Sequence, residues 1–323
     1  MLNYSVAELR NNMYRICVIC VYMGKFPIYS NLWLDSCQRN YTIDFLLITD
    51  QTIQNCPPNV ILKNMTLQEL RERIQIGMKE KIVLDKPYKS CDFRPMFGYI
   101  FQKELIGYDF WGHCDMDVIF GNIRKFVTDE LLDKYDKIYP LGHFSLYRNS
   151  DKCNLYFKLE GSLVGNYKYV ISTSKSCVFD EVYGIDKIFE YNKLPLYEKR
   201  DCADINYFVK RMKLVGPSFK NYMSQAFFMK NGECYRVFES CGTLHYEEFC
   251  YIHLQKRAYT GTINNHDCYY VAPDSFIPFA GTVEVCDIRE INPYRGKVNE
   301  LIEEFINEYA FRIKRKFKSF FIK

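Results

Sequence analysis

The chain has 323 residues, 48% apolar and 25% charged, which supplies a sizeable core and excludes intrinsic disorder, collagen and coiled coil. Its longest apolar run, residues 16–23, is eight long against the roughly 20 that a helix needs to cross a bilayer, so no membrane span is expected. The net charge is +4, yet six basic residues and no acid fall between Arg312 and Lys323; the basicity belongs to the tail, which disfavours a nucleic-acid surface and leaves a local contact with anionic lipid open.

No small-residue cleavage site follows the apolar run, so no secretory signal is readable. The fourteen cysteines scatter singly from Cys17 to Cys286, the pattern of reduced thiols, and a cytoplasmic location is expected. Cys17 and Cys20, the closest pair, lie in a strand-like run where a spacing of three puts the sulfurs on opposite faces. No second closely spaced Cys or His pair completes a zinc site.

In chain order, residues 15–22 read as a buried strand, 27–39 as a helix with proline near its start, and 43–49 as the next strand, with Asp50 at its carboxyl end. Residues 60–63 form a shorter strand. Thr66-Leu67-Gln68-Glu69 is a capping box with Met65 and Leu70 as its staple, and Leu67, Leu70, Ile74 and Met78 continue one helical face. A helix is predicted from about Pro95 to Leu105, then a strand over 108–114 that leads into Asp115-Met116-Asp117. This alternation predicts an α/β fold with a mostly parallel, Rossmann-like sheet flanked by helices.

Beyond Asn149 the pattern changes to short helices and hairpins, the clearest over 226–238 with Asn231-Gly232 as a type I′ turn. From Lys297 to Phe320, Val298, Ile302, Phe305, Tyr309, Ile313, Phe317 and Phe320 make a helical stripe flanked by Arg312 and Lys316. Such an amphipathic, basic C-terminal helix either packs on the domain or docks through residues 312–323 on an anionic membrane surface.

Two aspartates one residue apart at a strand's end repel unless a cation or a proton relieves them. Hard oxygen ligands suit Mg2+ or Mn2+, both of which complete their shells with phosphate and water, so the chemistry suggested is activation of a diphosphate leaving group. The plain alternative is a turn in which one aspartate caps a helix.

The stretch Phe110 to Phe126, FWGHCDMDVIFGNIRKF, resembles the Asp-x-Asp core of glycosyltransferases with the glycosyltransferase-A fold. More closely, the chain resembles a bacterial glycosyltransferase-like family of capsule and lipopolysaccharide loci, through Tyr22 to Pro27, Ile43 to Asp50, Lys86 to Pro95, Asp109 to Phe126 and Leu141 to Asn149, and later through Phe179-Asp180-Glu181 and Tyr251 to Arg257.

The resemblance implies a nucleotide-sugar donor, UDP-linked by analogy, bound across the sheet's carboxyl edge, and a glycan or lipid-linked glycan acceptor. It implies three stretches: 1–150 as the nucleotide-sugar-binding half of one catalytic domain, 151–295 as a smaller acceptor-side half, and 296–323 as the terminal helix. The protein would work in the cytoplasm or peripherally at the inner face of the plasma membrane. Asp115, Asp117 and His253 would hold Mn2+ or Mg2+, with Lys256 and Arg257 on the diphosphate. Tyr22 would meet the base, Gly24 and Lys25 the phosphates, and Asp92 and Arg94 the uracil, ribose or phosphate. Asp180 or Glu181 would be the base of an inverting transfer, with Asp201 and Asp204 in reserve; a retaining transfer needs none.

Each residue also has a bland reading: a strand-to-helix turn for Gly24 and Lys25, core packing for Tyr22, a salt bridge with a cap for Asp92 and Arg94, and a satisfied side chain for His253. Two other functions compete. Asp115-Met116-Asp117 could be the first motif of a haloacid-dehalogenase-type phosphatase, although that motif normally opens the first strand. A non-catalytic scaffold with a glycosyltransferase-like fold is the second.

Overall fold

The apolar runs of the first half assemble as one sheet. The computed structural model describes residues 13–216, 219–264, 266–280 and 282–320, with backbone alone for 315–320. The strands are β1 (Ile16–Tyr22), β2 (Ile43–Thr49), β3 (Val60–Asn64), β4 (Phe110–Cys114), β5 (Val118–Phe120), β6 (Lys137–Leu141), β7 (Phe144–Arg148), β8 (Leu196–Tyr197), β9 (Cys202–Asp204), β10 (Gln225–Lys230), β11 (Glu233–Ser240), β12 (Thr243–Phe249), β13 (Tyr251–His253), β14 (Cys268–Val271) and β15 (Phe276–Pro278).

The main sheet has the order β3-β2-β1-β4-β7-β6-β8. The pairs β2–β3, β1–β2, β1–β4 and β6–β8 are parallel, while β7 runs antiparallel to both its neighbours. The fold is therefore mixed α/β with a central, mostly parallel sheet, as the alternation predicts. The chain steps outward from β1 to β3 and then returns to the other side of β1 as β4. Open α/β sheets bind ligands beyond the carboxyl ends of the strands at such a reversal, here β1 and β4.

Local chemistry accounts for the flanking helices. Helix Leu67–Met78 starts on the predicted capping box, in which the Glu69 N–H donates to Thr66 Oγ1 (3.2 Å) and the Thr66 N–H to Glu69 Oε2 (2.7 Å). Its apolar face buries Leu70, Ile74 and Met78 against Cys17, Ile19, Leu46 and Ile48 of the sheet, each large side chain contributing about 1.5–3 kcal/mol. Helix Ser30–Arg39 buries Trp33 and Cys37. The helix expected over 95–105 is shorter: a 3-10 stretch, Pro87–Met96, leads into a single α-turn, Phe97–Ile100. Pro95 inside the 3-10 stretch lacks an N–H donor, which limits regular α-helix there.

The chain divides into two compact units, residues 1–118 with 123–201, and 119–122 with 202–323. The change of pattern after Asn149 predicts a division at about 150. Residues 151–201 belong instead with the first unit, because Cys153, Phe157, Val170, Phe179, Ile188 and Phe189 enter its core.

The second unit is built mainly on antiparallel pairs. Its five-stranded sheet runs β12-β11-β10-β14-β15. The β10–β11 hairpin turns on Asn231 (φ 52°) and Gly232 (φ 82°), the two left-handed residues a type I′ turn requires. Ala226, Phe228, Val237, Tyr270, Val283 and Ile288 form a core there. A second, three-stranded sheet has the order β5-β13-β9. Helices Val285–Ile291 and Lys297–Phe320 follow. The stretch expected to stand apart as 296–323 lies in this unit as the last of these helices, apart from residues 321–323, which fall outside the described residues.

Candidate functional site

Beyond β1 the chain turns at Gly24 with φ +96°, a left-handed backbone that side-chain-bearing residues rarely adopt. Its N–H donates to Asp50 Oδ1 (2.8 Å) at the end of β2. The Gln51 side chain and this N–H hold the Asp50 carboxyl below the usual range. No atom lies within 4 Å of where a Gly24 Cβ would stand, so the turn itself requires the glycine. Lys25 is exposed beside it. The Tyr22 hydroxyl donates to the Lys25 carbonyl (3.3 Å), and its ring lies 5.5 Å from that of Phe26. Burial, and then the charge of Asp117, pushes its phenol up, an electrical sign that the ends of β1 and β4 adjoin.

Asp115 and Asp117 follow β4 directly. The Asp115 N–H donates to the His143 carbonyl (3.0 Å), and a carboxylate oxygen of each aspartate lies within 4.8 Å of the other's. The buried guanidinium of Arg94 ion-pairs with Asp115, donates to Asp180 Oδ2 (2.9 Å), and reaches the Gly142 carbonyl (3.0 Å). Burial opposes its charge, but Asp115 and its other neighbours outweigh that and hold it protonated. Asp180 is 2% exposed. Its pKa is pushed up to about 8 by burial, with Arg94 pulling the other way and Glu181 and Asp115 adding to the rise. Burial also raises Glu181. A Cβ on Gly142 would stand 2.7 Å from Glu181 Oε1 and 2.8 Å from Asp180 Oδ2, so the bare glycine admits both acids.

Asp92, expected to meet a uracil or ribose, is fully buried. Its carboxylate accepts from Lys89 Nζ (2.7 Å) and from the backbone N–H groups of Cys177 (2.8 Å) and Phe179 (3.0 Å). Lys89 Nζ also donates to the carbonyls of Val170 and Lys175, both at 2.7 Å. The pair is a positioning device: it fixes the segment that presents Asp180 and Glu181. The carboxylate expected to meet a ligand is engaged by these internal donors.

In the second unit, β13 pairs in parallel with β9 and sets His253 opposite Asp204. His253 Nδ1 and Asp204 Oδ1 are 2.8 Å apart, and Gln255 Nε2 donates to the same oxygen (2.7 Å). A carboxylate on Nδ1 fixes the ring and turns Nε2 into the nitrogen a metal would take. Arg257, expected on the diphosphate, is half-buried, and its guanidinium donates to the carbonyls of Asn206, Val209, Lys210, Arg211 and Pro273. Those bonds tie three chain segments together in place of a diphosphate. Lys256 Nζ lies over the rings of Phe311 (4.6 Å) and Tyr207 (5.5 Å). Of the reserve bases, Asp201 is engaged by Lys199, Tyr139 and Tyr197, and Asp204 by His253.

The first unit thus brings together Tyr22, Gly24, Lys25, Asp115, Asp117, Arg94, Asp180 and Glu181, with Asp92 behind them. Sequence reasoning missed Lys89 and Gly142 as supports and Asp204 as the partner of His253. The last pairing spans 49 residues and rests on a strand register that carries no local signal. Two close carboxylates at a strand end are hard oxygen donors, suited to a divalent cation whose remaining positions phosphate oxygens can fill.

The family model of DUF6625, described as a family of unknown function, matches residues 18–280. No curated protein matches the sequence. Among solved structures, mouse xyloside xylosyltransferase 1 in its apo form is similar at a TM-score of 0.34 and 8% identity, over 60% of this chain and 88% of that one. The galactosyltransferase LgtC in complex with donor and acceptor sugar analogs is similar at a TM-score of 0.32 and 8% identity, over 58% and 75%.

Proposed function

The chain belongs to DUF6625, a family of unknown function, and from the site itself we propose a metal-dependent glycosyltransferase that moves a sugar from a UDP-linked donor to a glycan or lipid-linked glycan precursor of the bacterial surface. The observation that carries this reading is the Asp115–Asp117 pair at the carboxyl end of β4, beside the reversal of strand order. Nucleotide-binding α/β sheets put their ligands there.

The oxygen donors of Asp115 and Asp117 fit Mn2+ or Mg2+, which would neutralise the departing diphosphate. Gly24, held in its turn by Asp50, and Lys25 face the phosphates, and Tyr22 meets the base. Arg94 is a positioning residue that fixes Asp115. Glu181, less buried than Asp180, which Arg94 holds, is the better placed base for an acceptor hydroxyl, and burial raises its pKa in the direction that favours proton uptake. Asp180 serves Arg94. The assignment of His253 as a further metal ligand rests on the sequence resemblance and on its Asp204 partner. The place of work is the cytoplasm at the inner membrane face, with the basic tail on anionic lipid. A phosphatase of the haloacid-dehalogenase type is disfavoured because its motif opens the first strand, whereas here the acids follow β4.

Calorimetry with UDP and manganese tests the reading. The wild type should bind, and Asp115→Ala and Asp117→Ala should each weaken binding by at least about 100-fold, the upper end of what loss of a metal site's outer support costs, with unchanged circular dichroism. Undiminished binding in both variants sinks the proposal.

A further inference from the structure

Helix Lys297–Phe320 is turned inside out. Its polar side faces the unit that carries it: Glu300 pairs with Arg211 (3.4 Å), Glu303 accepts the Lys210 N–H (2.9 Å), Glu304 accepts from Asn206 (2.7 Å) and Lys213 (2.8 Å), and Asn307 donates to the Phe208 carbonyl (2.7 Å). The opposite side is apolar and open to solvent. Val298 is 68% exposed, Leu301 54%, Ile302 53%, Phe305 71%, Ile306 57%, Tyr309 59% and Ile313 39%. At 3.6 residues per turn these seven fill an arc of about 140°. A helix of a globular domain normally turns such a stripe to the core, and a contiguous exposed patch of this kind marks an interaction surface.

We propose that this face is the membrane contact: the helix lies in the plane of an anionic bilayer, with the Val298–Ile313 stripe in the headgroup boundary. Charge selects this occupant over a second copy. The acids Glu300, Glu303 and Glu304 are turned inward and bonded, and Glu308 is paired with Arg312 (2.6 Å), whereas the chain from Tyr309 to its end carries six basic residues and no acid. An apolar stripe whose chain continues into a basic sequence disfavours its own copy and suits anionic lipid. The helix lies on the membrane rather than through it, since among the described residues no helix is long and apolar enough to cross. The inference deepens the membrane part of the proposed function, moving the contact from the tail's charges to the stripe upstream of them.

Co-sedimentation of the full chain with vesicles tests it. Phosphatidylcholine vesicles containing about 30% phosphatidylglycerol should bind the protein at least about tenfold more strongly than phosphatidylcholine alone, and added salt should reduce the difference. The double substitution F305S/I306S, at two exposed sites, should cut binding at least about tenfold while calorimetry with UDP and manganese stays unchanged. Wild-type protein that ignores both vesicles, or a variant that binds as well as wild type, overturns the proposal. A dimer by light scattering that the same variant dissolves also overturns it and assigns the stripe to a second copy. Asp117→Ala should still sediment, so failure here and failure of the transfer reading are separable.

Discussion

Arg94 and Asp180 concentrate the electrostatics of the first unit: one buried cation is shared by a strand-end aspartate and a carboxyl pushed up to about 8 by burial. An unfolded aspartate titrates near about 3.9. Between those values the folded chain keeps a proton that the unfolded chain has released. The stability this contributes is whole below about pH 4 and lost as pH rises through about 8. Relative to Asp180→Asn, the wild type should lose stability from pH 4 to 8 at no more than about 1.4 kcal/mol per pH unit, levelling off above. Denaturant midpoints at pH 5, 7 and 9 check this, and a flat difference refutes it. Sequence alone showed that Asp115 and Asp117 sit at a strand end, because an apolar run stops at a charged pair. It did not show that Asp92 and Arg257 point inward, since a buried charge is identified by its partners, and those of Asp92 lie as far as 87 residues away.

Elements whose signals are local were the legible ones. The capping box of helix Leu67–Met78 is made of four consecutive residues, and the β10–β11 turn of two. Thr66→Ala removes the acceptor for the Glu69 N–H and should lower stability by about 1 kcal/mol, read as a shift of the denaturant midpoint at unchanged slope. Helix 95–105 is shorter than predicted because the α-turn Phe97–Ile100 gives way to turn bonds, such as Leu105 N–H to the Phe101 carbonyl (3.1 Å), which apolar periodicity does not distinguish from a regular helix. Strand order was only partly legible: alternation implies parallel neighbours, but the insertion of β7 antiparallel between β4 and β6 depends on contacts along their whole length.

Across the whole chain, the division into units was the least legible feature, because the pattern of elements changes at about residue 150 while the packing changes at 201. None of the fourteen cysteines is bonded to another in the structure, and only Cys241 and Cys286 among them are exposed. Titration with a thiol reagent, without reductant, should find two fast-reacting groups in the native protein and fourteen after denaturation. A lower denatured total would reveal disulfides.

The two tryptophans have a consequence for watching this chain unfold. Trp33 in helix Ser30–Arg39 and Trp111 in β4 are both fully buried, and both fall in the first unit. Indole emission is therefore a private gauge of the parallel sheet and silent on the antiparallel one. Superimposable fluorescence and far-ultraviolet dichroism melts would mean that both halves give way together, and separated melts that each half keeps its own threshold.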